Sequence, residues 1–249
     1  MEVGSSHREN LGTTLDRLLI DLERRVIDEC SPGSRLPAEG DLAIQYNVSR
    51  ITVREALKVL AGRDLVDLGA GRRAVVKAPS ASTLAQYLDV AIRRDSSASL
   101  ELNEIRSALE VQSATLAAKH IDDESRASLA EAIDEMSRAA DAFKRGGQEV
   151  DYHHADIMFH ERLAVASKNQ MLSLVLISFE EALRSTFTES FRGHLLLGKP
   201  IDQGLALHRR VFEKVSEGDT RGAAAAMRET LRDSNRNIRA AYRLPQRSD

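Results

Sequence analysis

The sequence predicts a mainly α-helical protein of two domains: a small one of three helices and two short strands, then an all-α bundle of about seven helices. Three observations predict this. Apolar residues recur every three or four positions through most of the chain, the period of helices that bury one face. Strand-like runs occur only in LVDLG and RRAVVKA, on either side of a glycine-bearing turn. A proline- and serine-containing stretch, KAPSAST, then separates this region from a remainder with no strand pattern.

In the front part, residues 11–30 read as a first helix with Leu11, Leu15, Leu18, Leu19, Leu22 and Val26 as its stripe, ended by SPG. Ala38 to Tyr46 makes a short second helix, NVS a break, and Ser49 to Gly62 a third. In the third, Val53, Ala56, Leu57 and Leu60 fall at i, i+3, i+4 and i+7, facing a core, while Arg50, Arg54 and Lys58 share another side. Ser49 is placed to cap this helix. Its hydroxyl, the free amides of the first turn and Arg50 then lie together, a combination suited to a phosphate. Arginine also grips the edge of guanine bidentately, so Arg50 and Arg54 are candidate base readers. Taken alone, the helix reads more simply as an amphipathic one with a solvated basic face. The order of elements decides between the two, because helix, turn, basic helix and a glycine-turn hairpin carrying Arg72 and Arg73 make a winged helix-turn-helix. The expected domains are therefore 8–78 for this DNA-binding unit, 79–83 for a linker, 84–240 for the bundle and 241–249 for a tail.

Composition narrows the function classes. Net charge is −3 and 42% of residues are hydrophobic, so the chain is no generic polyanion binder and can bury a core. Up to Pro79 there are 12 basic and 12 acidic residues, and 23 against 26 in the rest, yet Arg50 to Lys77 holds seven basic residues against three acidic. A single cysteine, Cys30, excludes an intrachain disulfide and any multi-thiolate metal centre. The longest apolar run, MLSLVLISF, is too short to span a bilayer, and the first residues carry no apolar signal core. The expectation is a cytoplasmic protein with no membrane partner.

From residue 84 the helical segments run roughly 84–94, 101–120, 123–143, 148–167, 170–191, 203–217 and 219–240, with breaks that include SKNQ and RGHLLLGKPID. HHADIMFH places three of the seven histidines within eight residues. On a helical wheel Tyr152, Ala155, Phe159, Leu163 and Ala166 form the buried stripe, Asp156 and His160 flank it, His153 is intermediate and His154 faces away. His208 lies in the apolar line of a later helix with Val211, Phe212 and Val215. An interior histidine is either a hydrogen-bonded structural group or a ligand. A carboxylate and imidazoles from separate helices are also how bundles assemble sites for zinc, manganese or nickel.

The stretch PGSRLPAEGDLAIQYNVSRITVREALKVLAGRDLV, running on to GAGRRAVV, resembles the DNA-binding domain of the GntR family of bacterial transcription regulators over about residues 11–78. The resemblance implies that Arg35, Ser49, Arg50, Thr52 and Arg54 touch double-stranded operator DNA, and that the wing tip at Gly71 reaches the minor groove. Many relatives carry a DNA-contacting arginine where this chain has Gly40. Residues 84–240, through NEIRSALEVQSATLAAKH, ADIMFHERLAVASKNQML and ALHRRVFEKVSEGDTRGAAAAMRETL, are similar to the FCD-type effector domain of the FadR subfamily. In metal-binding members of that type the ligands match Asp156, His160 and His208; a fourth, histidine in them, is Thr230 here, 22 residues after His208. The resemblance further implies that Arg106 meets the carboxylate of a small organic-acid effector. Arg106 also stands four residues before Glu110 and could simply pair with it. Thr230 and Arg184 are further effector candidates, with Arg192 behind them. The pattern is most similar to regulators of sugar-acid catabolism. The expected protein is a homodimer that binds two operator half-sites, a repressor and not an enzyme. The alternative is a metal-dependent hydrolytic enzyme centred on Asp156, His160 and His208, which would need a placed acid or base that the sequence does not offer.

Overall fold

The computed structural model describes residues 13–95, 98–146 and 149–243. Leu11, the first residues of the expected front domain and most of the expected tail lie outside the described residues. Among the described residues the chain forms eleven α-helices and two short strands, and it divides after Thr83 into two compact units.

In the front unit α1 (Thr14–Arg24) opens with a capping box. The Asp16 amide donates to Thr13 Oγ1 (3.2 Å) and the Thr13 amide to Asp16 Oδ2 (2.7 Å). The helix does not stay α-helical to residue 30 as expected; residues 25–29 widen into a π-helical turn that still buries Val26. Helix α2 (Glu39–Gln45) and α3 (Arg50–Gly62) are joined by a turn in which Asn47 takes φ 50°, a left-handed conformation asparagine tolerates. β1 (Val66–Asp67) pairs antiparallel with β2 (Val75–Val76) in the register Val66 to Val76. A third extended segment adds to β2: the Leu36 amide donates to Ala74 O (2.9 Å) and the Gly33 amide to Val76 O (2.8 Å). Leu22, Leu42, Val53, Leu60 and Val66 close a core between the helices and this small sheet.

The expected linker is partly structured. Lys77 and Ser80 both bond the Asp64 carboxylate, and Ser82 Oγ donates to Asp64 Oδ2 at 3.2 Å. Helix α4 (Ser82–Arg94) begins inside the expected linker.

The back unit continues with α5 (Ala98–His120), α6 (Asp123–Lys144), α7 (Glu149–Ala166), α8 (Gln170–Ala182), α9 (Arg184–Leu196), α10 (Ile201–Ser216) and α11 (Thr220–Ala241). Asp122, Asn169 and Asp219 cap α6, α8 and α11 with side-chain oxygens. Among the described residues there are eight helices where seven were expected, because 170–191 is interrupted at Leu183. No glycine or proline marks that break. Leu183 is 1% exposed and packs with Leu102, Ile157, Phe179 and Ala182, so tertiary burial sets the turn. The expected break at RGHLLLGKPID is narrowed to residues 197–200, since α10 begins at Ile201 and α9 runs on to Leu196. Gly193 is required there by packing: a Cβ on it would stand 1.8 Å from the Asn237 carbonyl oxygen of α11. Helix α11 packs along α9, α10 and α5, and α7 lies against α6, α5 and α8. The α7 stripe from Tyr152 to Ala166 is buried as the wheel places it, and Ile157 on its other side is buried too, which makes α7 a central helix.

Candidate DNA-binding face and ligand cavity

On the front unit, Ser49 Oγ accepts the Thr52 amide at 3.0 Å and lies 2.8 Å from the Thr52 hydroxyl, fixing the first turn of α3. Arg50, Arg54 and Lys58 are exposed beyond it. Glu39 of α2 holds the Arg54 guanidinium, with Nη2 donating to Oε2 at 2.7 Å and Nε to the same oxygen at 3.2 Å. That bond, chiefly, keeps the Glu39 carboxyl below its ordinary pKa. Gly40 has a physical role: a Cβ there would lie 3.0 Å from Arg50 Nη2, so the Arg50 guanidinium rests in the space a side chain would fill. Arg35 is exposed on the segment paired with β2, opposite Val75. Gly71 at φ +68° turns the wing, a left-handed position that favours glycine. Arg54 and Lys58 share a groove with the wing residues Arg72 and Arg73, and Arg35 lines an adjoining concavity with the same two arginines. All six expected DNA-contacting residues thus lie on this unit, and its helix and wing share one groove.

In the back unit a cavity lies among α5, α7, α9, α10 and α11. Asp156, His160 and His208 converge on one side of it. His208 Nε2 lies 3.1 Å from Asp156 Oδ1 and 3.3 Å from His160 Nε2. The outer nitrogen of each ring is engaged elsewhere, His208 Nδ1 with Gly204 O (2.8 Å) and His160 Nδ1 with Glu110 Oε2 (2.9 Å). With the Nδ1 atoms as donors, two Nε2 lone pairs and a carboxylate face one another, an arrangement that calls for a cation between them. A proton on His208 is one answer. Burial opposes it, but the Asp156 carboxylate outweighs burial and raises the His208 pKa. Burial likewise opposes charge on Asp156, and His208, His160 and Arg106 together hold its carboxyl well below the usual range. A metal ion is the other answer, and the three ligand atoms lie within 4.8 Å of one another.

Arg106 lines the cavity at 2% exposure and pairs with Glu110, Nη2 to Oε1, at 2.5 Å. The helical i,i+4 pair read from the sequence is present, but inside the protein. Glu110 therefore stands between Arg106 and His160. Burial would raise its carboxyl, but Arg106 first and then the contact with His160 bring it below the ordinary value instead. Among the described residues Glu180, also buried, has no hydrogen-bonding partner for either oxygen, and burial pushes its pKa well up. Thr230 lines the cavity as well, with its hydroxyl donated to Ala226 O at 3.1 Å. Arg184 is a correction. The turn at Leu183 buries that leucine and leaves the Arg184 side chain exposed, away from the cavity lining. Arg192 is likewise exposed, pairing with Glu189 at 3.3 Å.

The FCD domain model matches residues 101–233, and the model for bacterial regulatory proteins of the gntR family matches residues 16–76. The HTH-type transcriptional regulator LutR of Bacillus subtilis is 30% identical over 200 residues, 80% of this chain and 89% of the relative. The chain belongs to the GntR family. It is a DNA-binding transcription regulator with an FCD effector domain, of the FadR type. The galactonate operon transcriptional repressor of Escherichia coli is 25% identical over 232 residues, 90% of this chain and 96% of that one. The solved structure of a Streptococcus agalactiae GntR has the same fold, with a TM-score of 0.67 at 24% identity over 90% of this chain and 97% of that one.

For a GntR regulator the cavity holds more than the sequence reading found. His153 and His194 line it, as do Ser190, Ser234 and Asn237. His194 was out of reach because its segment reads as a loop. Ser190 Oγ lies 3.1 Å from Ser234 Oγ across α9 and α11, a pairing that no local spacing announces.

Proposed function

We propose that this GntR regulator is a homodimeric repressor whose operator affinity is set by a small polyhydroxylated organic acid held in the cavity of the back unit. The observation that carries the reading is the polarity of that cavity. One side gathers the buried Arg106 with Asp156, His160 and His208, groups suited to a carboxylate directly or through a cation. The same lining offers Ser190, Ser234 and Asn237, hydroxyl and amide groups suited to a ligand's hydroxyls, with Phe191 and Leu231 as apolar members. The galactonate repressor's name fits this chemistry, since a sugar acid has both ends.

Asp156, His160 and His208 would hold a divalent ion such as zinc, manganese or nickel, which would supply positive charge and an open position for a ligand oxygen. Thr230 is committed to its own helix, so the chain brings three ligand groups and leaves room beside them. Arg106 orients an acid, and Glu110 fixes both Arg106 and the His160 ring. The ligand would act by binding the DNA-competent and DNA-incompetent dimers with different affinity.

The test is thermal stability of chelator-treated protein against sugar acids, short hydroxy acids and dicarboxylates, each with and without zinc or manganese. A sugar acid is expected to raise the melting temperature most, with the metal adding to it, and then to release the promoter fragment. No response to any acid in either condition would overturn the effector reading. A metal response equal in wild type and His208→Ala would remove His208 from the ligand set.

A further inference from the structure

Helix α3 presents an exposed arc on the side away from its core. At about 100° per residue, Arg50, Arg54, Lys58, Ile51 and Glu55 follow one another across roughly 140°, while Val53, Ala56, Leu57 and Leu60 lie opposite. Ile51 sits well inside that arc, yet its side chain is apolar and 73% exposed. It is no part of the core cluster of the front unit. Its neighbours on the arc are charged, and Glu55 is engaged by Lys58 at 2.9 Å. Ile44 is more exposed still, at 81%, but lies on α2, outside the arginine-bearing arc.

An isoleucine here gains nothing from folding. Being β-branched, it is also a slightly poor residue for a helix, though its stiff χ1 presents the methyl groups in a fixed direction. The apolar group that a DNA base edge offers in the major groove is the C5-methyl of thymine, and its neighbours there are hydrogen-bonding atoms of the kind arginine reads. Arg54, steadied by Glu39, and Arg50, seated over Gly40, share the arc with Ile51 and lie on its Lys58 side.

We propose that Ile51 is a specificity-determining residue that packs on the C5-methyl of a thymine in the operator half-site, an inference that rests on α3 being the DNA-reading helix. The arginines supply polar base and phosphate contacts; Ile51 adds a preference for thymine over cytosine, and over uracil, at one position.

The experiment begins by letting the full-length protein select duplexes from a random-sequence pool. Each thymine of the selected sequence is then replaced singly by deoxyuridine, which removes one methyl group and no hydrogen bond. Wild type is expected to lose about fourfold in affinity at one thymine per half-site, the scale of one buried methyl. Ile51→Ala, which should keep its melting temperature because the side chain is exposed, is expected to bind the thymine and uracil duplexes there equally. A wild type indifferent to every uracil, or an Ile51→Ala protein equally sensitive to the same one, would overturn the proposal while leaving DNA binding intact. Failure to enrich any sequence would overturn the DNA-reading assignment itself, and the proposal with it.

Discussion

The arginine–glutamate pairs of the two units look alike on paper and differ in every physical respect. Arg54–Glu39 bridges α2 and α3 with side chains 59% and 38% exposed; Arg106–Glu110 lies within α5 with both side chains 2% exposed. In water the first pair is screened and adds little to stability, so its use is to aim a guanidinium at a partner. The second has lost its hydration, and each charge depends on the other and on His160. The front unit keeps its functional groups outside its core and can change them cheaply. The back unit has put its functional groups into the core, where fold and site are one network.

The sharpest break of this contrast is Glu110→Ala. It strands Arg106 and removes the outer partner of His160, and the expected cost is about 3–5 kcal/mol in urea unfolding. A loss below about 1 kcal/mol would mean that the buried charges have other compensation. Next is Arg54→Ala, expected to leave unfolding unchanged while weakening binding to the selected duplex about ten- to a hundredfold. If Arg54→Ala destabilised the protein as Glu110→Ala does, the separation of site from fold in the front unit would fail.

The same contrast explains what was legible in the sequence. Ser49, Arg50, Thr52 and Arg54 lie within six residues of one helix, and cap and stripe identify that helix locally. The cavity draws Arg106 from α5, Asp156 and His160 from α7, His194 from α9, His208 from α10 and Thr230 from α11. Asp156 and His160 were legible as an i,i+4 pair beside an apolar stripe, and His208 as a histidine within one. Their meeting at 3.1–3.3 Å rests on the family resemblance and then on the fold. His194 was lost because the end of α9, which carries a glycine for close packing, looks like a loop when its neighbour is unseen, whereas Ser190 lay inside the expected helix and only its partner Ser234 on α11 was unseen. Arg184 was named from charge alone, and at the break between α8 and α9 Leu183 turns inward while the arginine stays exposed.

A smaller effect is expected from Gly40→Arg. The new side chain takes the space against α2 where the Arg50 guanidinium rests, and Arg50, the flexible partner, gives way. Stability should hold within about 0.5 kcal/mol, as for exposed changes in general. Affinity for the wild-type duplex should fall severalfold, and a fresh selection should return a different sequence. Recovery of the same sequence would show that the seat of Arg50 does not matter to base choice.

The smallest effect belongs to Asp64→Ala, where an acidic side chain 15% exposed gathers Lys77, Ser80 and Ser82. Partial burial would raise the Asp64 carboxyl, but the bonds from Lys77 and Ser80 prevail and lower it. A depressed carboxyl stabilises the folded chain above its unfolded pKa, near 3.9, and that contribution is lost as pH falls toward the folded value. The wild type should therefore exceed Asp64→Ala by less than about 1 kcal/mol at pH 6. The difference should shrink below about pH 4, read as hydrogen exchange at the amides of residues 76–83. A difference that stayed constant down to about pH 2 would mean that packing, and not the carboxylate, holds this segment. Asp64 would then behave like neither unit's arginine pair: partly buried, yet not sustained by charge.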